Sequence, residues 1–131
     1  MRAPKHNDNM QDFAEFEEFW PHYLGEHSSP KTRDLHLLGT VIALACLGGF
    51  AKTRDKRWLA GALIGSYGLA WTGHAAFEKN KPATFTHPMW SLRADFRMFR
   101  LWLTGGLDPE IERTHNKERQ QRRLGGKNHA R

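Results

Sequence analysis

Two stretches of this chain contain no Asp, Glu, Lys or Arg: the 17 residues from Leu35 to Ala51 and the 20 from Trp58 to Phe77. A helix rises about 1.5 Å per residue, so each stretch can cross most or all of a hydrocarbon layer about 30 Å thick. A soluble amphipathic helix keeps one polar face, and neither stretch has one. Between them KTRDKR, Lys52 to Arg57, reads as a tight polar turn, which makes the two segments an antiparallel hairpin. A soluble two-helix core is the competing reading, and the absence of charge at every position counts against it.

The hairpin sits in a chain of 131 residues, enough for one domain with tails and too short for a barrel of about 250 residues. A net charge of +6 suggests nucleic acid or an anionic membrane surface, but the charge is unevenly placed. Residues 1–34 carry 4 basic and 7 acidic side chains, whereas residues 78–131 carry 12 and 6. The basic tail from Glu112 on lacks interleaved aromatics, so nucleic acid is not an expected partner and anionic lipid headgroups are. Cys46 is the single cysteine, which excludes a disulfide framework and a cysteine-rich zinc site. No apolar run precedes Leu35, so the N-terminus does not read as a signal peptide.

Amphipathic segments flank the hairpin. Residues 12–20, DFAEFEEFW, place Phe13, Phe16 and Trp20 at helical spacing, predicting a short helix that Pro21 closes. Pro21 to Asp34 reads as a loop or broken helix. Residues 90–104 put Leu92, Phe96, Phe99 and Leu103 on one face and Arg93, Arg97 and Arg100 on another, the pattern of a helix lying at the headgroup level. The expectation is therefore an all-α membrane protein: one embedded domain over residues 1–111, with apolar helices 35–51 and 58–77, and a disordered basic tail over 112–131. Its setting is a bacterial inner membrane or the endoplasmic reticulum, with both termini on the cytosolic side, because the C-terminal tail is basic and a polar N-terminus need not be translocated.

Pairing Lys52 with Arg57 across the turn puts His36 and His74 within one residue of the same level, at the terminal end of the hairpin. His27 precedes the first apolar segment and can fold back onto that level. Grouped neutral imidazoles at a membrane edge suit a divalent metal, with iron and zinc both chemically reasonable. Interfacial histidines satisfied by carbonyls or lipid phosphate are the alternative. Gly61, Gly65 and Gly68 form a small-residue stripe that allows close helix approach, within the hairpin or in a homodimer. On a regular helix this stripe lies roughly opposite His74. No nucleotide-binding loop, nucleophile elbow or HExxH sequence is present.

The stretches FWPHYLGEHSSPKTRDLHLLGT (Phe19 to Thr40) and YGLAWTGHAAFEKNKPATFTHPMWSLRADFRM (Tyr67 to Met98), followed by LTG at Leu103 to Gly105, resemble a known family. They match the short form of a family formerly described only as a domain of unknown function. Its characterised fungal member degrades phytosphingosine to odd-numbered fatty acids, as an iron(II)-dependent dioxygenase on 2-hydroxy fatty acids in the endoplasmic reticulum membrane. The resemblance covers about Phe13 to Gly105, and Ser29 stands where many short members read EHSHP.

What the resemblance implies is specific. The family's histidines fall on His27, His36 and His74, which would hold Fe(II), with His22, His87, Glu26 or water as a fourth ligand. Three imidazoles leave positions free for dioxygen and for the carboxylate and 2-hydroxyl of a fatty acyl substrate. Arg33 or Lys79 would attract the carboxylate, and Glu78 would serve the metal or bridge within EKNK. A non-enzymatic lipid-binding or scaffold protein with the same fold is the alternative function.

Overall fold

The computed structural model describes residues 13–82 and 85–128. Its regular elements are all helical: α1 (Phe16–Glu26), α2 (Pro30–Thr53), α3 (Arg57–Gly73), a π-helical turn (His74–Glu78), α4 (Pro88–Leu103) and α5 (Leu107–Asn128). The all-α expectation holds. The chain divides into two compact units, one ending at Phe96 and the other beginning at Arg97.

Helix α1 follows from its spacing: Phe16, Phe19, Trp20, Tyr23 and Leu24 recur every three or four residues and all are buried, while Glu17 and Glu18 stay exposed in the first turn, where the dipole favours acids. Pro21 does not close the helix, contrary to expectation. It removes one backbone donor, but the buried rings of Trp20 and Tyr23 on either side hold the helical path as far as Glu26. The expected loop from Pro21 to Asp34 contracts to residues 27–29, because Pro30 starts α2 at the first helical position, where its fixed φ is already helical. Of the expected 12–20 helix, Asp12 lies outside the described residues.

Helices α2 and α3 pack side by side. Gly39 lies against Ser66, Ile42 against Gly65, Cys46 against Gly61, and Gly49 against the Trp58 indole. The order reverses along α3, so the pair is antiparallel. Gly61 and Gly65 of the small-residue stripe are thereby used inside the chain rather than left for a second copy. Arg54, in the left-handed region at φ 59°, ends α2 and lets the chain turn into α3. Among the described residues one helix, α2, is long and apolar enough to cross a membrane, with 24 residues and a mean hydropathy of 1.7 in its most apolar window. The second expected span is shorter, because α3 gives way after 17 residues to the π turn.

The close approach predicts opposite effects for two glycines. A Cβ at Gly39 would stand 3.0 Å from the Ser66 carbonyl oxygen and 3.1 Å from its Cα, so Gly39→Ala must part the helices and should cost about 1–3 kcal/mol. At Gly68 a Cβ meets nothing within 4 Å, so Gly68→Ala should gain up to about 1 kcal/mol from helix propensity. Thermal unfolding of the two variants in detergent checks the difference in sign.

In the second unit Gly105, at φ 74°, turns the chain between α4 and α5. Residues 112–128, expected to be disordered, continue α5. Leu107, Glu110 and Thr114 are buried, Arg113 and Arg97 pair with Glu110, and Asp108 and Glu110 lie in the first turn, where the helix dipole favours acids. The lack of apolar periodicity hid these contributions.

Candidate metal centre

Three chain segments deliver one histidine each. His27 follows the last residue of α1, His36 lies in the second turn of α2, and His74 opens the π turn after α3. All are buried, His27 and His74 at 1% exposure. The ends of α2 and α3 meet because Gly73 has no side chain: a Cβ there would stand 3.2 Å from Thr32 Cγ2 and 3.3 Å from Thr32 Cα. Adjacent helical residues differ by about 100°, so with Gly73 turned to α2, His74 faces the flank of the pair. There it meets His27. The small-residue stripe and His74 are thus both accommodated, with Gly61 and Gly65 against α2.

The Nε2 atoms converge. His27 to His36 is 3.1 Å, His27 to His74 is 3.1 Å, and His36 to His74 is 3.2 Å. Each Nδ1 faces away, toward an oxygen: His27 toward the Tyr23 carbonyl at 2.6 Å, His36 toward Asp95 Oδ1 at 3.2 Å, and His74 toward Asn80 Oδ1 at 2.7 Å. Asn80 Nδ2 donates to the Glu26 carbonyl, which orients its Oδ1 toward His74. A carbonyl, a carboxylate and an amide oxygen accept hydrogen bonds, so these partners assign the proton of all three rings to Nδ1. Three Nε2 lone pairs then face one another with no proton among them, an arrangement that calls for a cation. Two metal–nitrogen bonds of about 2.1 Å span at most about 4.2 Å. The three separations fit one ion, and these histidines could hold a metal.

Electrostatics agree with a neutral His27 ring. Burial first, then the neighbouring imidazoles of His36 and His74, pushes His27 well below the usual histidine range. The Tyr23 phenol is held well above its usual value, by burial first and then by the Asp95 charge. It therefore stays protonated and donates to Asp95 Oδ1, the same oxygen that accepts from His36. Tyr23 also stacks on His27, with ring centroids 4.0 Å apart.

Glu78 neither serves the cluster nor bridges within EKNK. Its carboxylate accepts from Ser28 Oγ at 2.7 Å and from the Ser29 backbone N–H at 2.6 Å, closing the N-terminus of α2 where an anion is favoured. Arg33 is also committed, donating through Nη1 to the carbonyls of His27 and Ser28 at 2.7 and 2.8 Å. Lys79 is exposed, just past the π turn. His22 pairs with Glu26 at 3.0 Å, and His87 stacks on Trp90. Among the described residues none of these joins the three histidines within metal-binding reach.

Tyr23, Asn80 and Asp95 were not singled out from the sequence. Asp95 carried a signal, being an acid on the apolar face of an otherwise arginine-rich amphipathic segment.

The family described as 2-hydroxy-palmitic acid dioxygenase Mpo1-like matches residues 13–107. The chain belongs to this family. The matched region contains all three histidines and every partner of their Nδ1 atoms. No curated protein and no solved structure is similar enough to this chain to count as a match.

Proposed function

We propose that the chain is a membrane-embedded Fe(II)-dependent dioxygenase that converts 2-hydroxy fatty acids to the fatty acid one carbon shorter, with His27, His36 and His74 as the ligands. The observation that carries this reading is the convergence of three Nε2 atoms within 3.2 Å of one another in a member of this family. Iron bound there would supply open positions for dioxygen and for a substrate chelating through its carboxylate and 2-hydroxyl. The overall reaction balances without another reductant: R–CH(OH)–COOH and O2 give R–COOH, CO2 and water, with the C1–C2 bond broken and dioxygen accepting the electrons released.

The chain's own residues prepare this chemistry. Asp95 and Asn80 fix the tautomers of His36 and His74, and Tyr23 orients both Asp95 and His27. Burial of the rings keeps bulk water from their Nε2 atoms. The exposed Lys79 ammonium, rather than the occupied Arg33, is assigned to attract the substrate carboxylate.

The membrane setting belongs to the same proposal. Only 17% of the most apolar window of α2 is buried inside the protein, and Leu38, Val41, Leu44 and Leu47 are exposed along it. The core helix of a soluble protein would be mostly covered. The proposal keeps the termini on the cytosolic side of the endoplasmic reticulum or bacterial inner membrane.

The test is metal analysis of detergent-purified protein, followed by anaerobic loading with Fe(II) and exposure to 2-hydroxyhexadecanoic acid and O2. Pentadecanoic acid and CO2 should form in equal amounts. Tightly held zinc with no oxygen uptake after iron loading would instead support the non-enzymatic lipid-binding reading.

A further inference from the structure

A cavity of about 460 Å³ opens beside the histidines, with His36 and Asp95 in its wall. On α2 it follows a single stripe, from His36 through Thr40 and Ala43 to Leu47. On α3 it is lined in the opposite order, from Ala70 through Ser66 and Ala62 to Leu59. Antiparallel packing sets Ala70 level with His36 and Leu59 level with Leu47, so the cavity runs lengthwise, polar at the histidine end and apolar at the other. Two of its lining hydroxyls are turned to their own backbone: Thr40 Oγ1 donates to the His36 carbonyl at 3.0 Å and Ser66 Oγ to the Ala62 carbonyl at 2.6 Å; the third, on Tyr67, lies toward the histidine end. Leu92 and Phe96 of α4 add further apolar wall near Asp95.

We propose that this cavity is an acyl-chain subsite and that the side chains at Ala43 and Leu47 set the length of chain it accepts. The inference rests on the reading of the histidine site as one acting on 2-hydroxy fatty acids, and it adds where the chain lies and what measures it. The occupant is a single unbranched alkyl chain, because the cavity starts at His36, beside the site that would take the polar head, and runs lengthwise along two adjoining helices to an apolar end. From His36 to Leu47 the helix advances about 16 Å. An extended alkyl chain with C–C bonds of about 1.5 Å advances about 1.3 Å per carbon, so the span takes about 13 carbons beyond the head. Ala43 lies about 10 Å along, about 8 carbons from the histidine end.

The experiment measures binding of radiolabelled 2-hydroxy acids, from about 8 to about 18 carbons, to the full-length protein in detergent, for the wild type, Ala43→Phe and Leu47→Trp. The ratio of variant to wild-type affinity at each length cancels partition into detergent. Each buried methylene is worth about three- to fourfold in affinity. Ala43→Phe should therefore leave the shortest acids unchanged and weaken those of about 16 carbons at least tenfold. Leu47→Trp should spare acids up to about 12 carbons and weaken only the longest. If Ala43→Phe fails to fold, Leu47→Trp carries the test alone, since Leu47 is 44% exposed and tolerates a larger ring.

Ratios independent of chain length, or no binding by the wild type, would overturn the subsite. Length-dependent binding without turnover would keep the subsite and remove the dioxygenase reading. Turnover with length-independent ratios would do the reverse.

Discussion

Under the proposed dioxygenase reading, His36→Ala should lose metal binding and all turnover while keeping its helical content and its membrane partition. Removing a group that merely orients a ligand weakens metal binding by about 10–100-fold, and deleting the ligand itself should exceed that. The side chain also makes the direct contact between the cluster and Asp95. Its loss leaves the Tyr23–Asp95 hydrogen bond standing, so the fold keeps this polar pair while the cluster is reduced to two nitrogens. His27→Ala and His74→Ala should behave alike. Asp95→Asn should fall between, retaining an acceptor for His36 but losing the charge, with metal retention down about 10–100-fold. His115, exposed on α5, is the control; His6 and His129, equally remote in sequence, lie outside the described residues. Metal content by mass spectrometry after gel filtration decides the matter, and wild-type metal stoichiometry in His36→Ala would remove the cluster from the proposal.

The cluster is partly legible in the sequence because two independent signals agree. A tight turn between charge-free runs fixes which residues share a level, and that arithmetic selected His36 and His74. The GEHSSP, DLHLLG and TGHAAFEKN motifs then add His27 and give the same pair. What stayed hidden depends on contacts between segments distant in sequence. Glu78 reads as one more charge in EKNK until α2 begins at Pro30 and presents an open N-terminus to it. Asp95 lies 59 residues from His36, and no local pattern couples them. Pro21 misled because helix-breaking is a local rule, whereas α1 is held by five buried side chains. Helix α5 was missed for the opposite reason: ion pairs around Glu110 and dipole-matched ends hold a helix that has no apolar stripe to read.

Leu63→Arg should lower the equilibrium constant for membrane insertion about a hundredfold, and the reason it discriminates lies in the exposure of that side chain. Leu63 is 59% exposed and its neighbour Ile64 is 74% exposed, both midway along α3. If that surface faced water, an arginine there would be an ordinary surface substitution, within about 0.5 kcal/mol of neutral. If it faces hydrocarbon, the guanidinium costs about 2.5–3.5 kcal/mol near the centre of a span. Snorkelling relieves part of that cost, which makes Ile64→Arg a useful second measurement, since Ile64 does not line the cavity. Gly68→Ala, expected to stabilise α3, serves as a folded control on the same helix. Resistance to alkaline carbonate extraction, compared across the three variants and the wild type, reads the effect. Equal yields of both arginine variants, together with wild-type protein recovered from the soluble fraction without detergent, would place α3 in water. The exposed leucines of α2 would then need a protein partner rather than a bilayer to cover them.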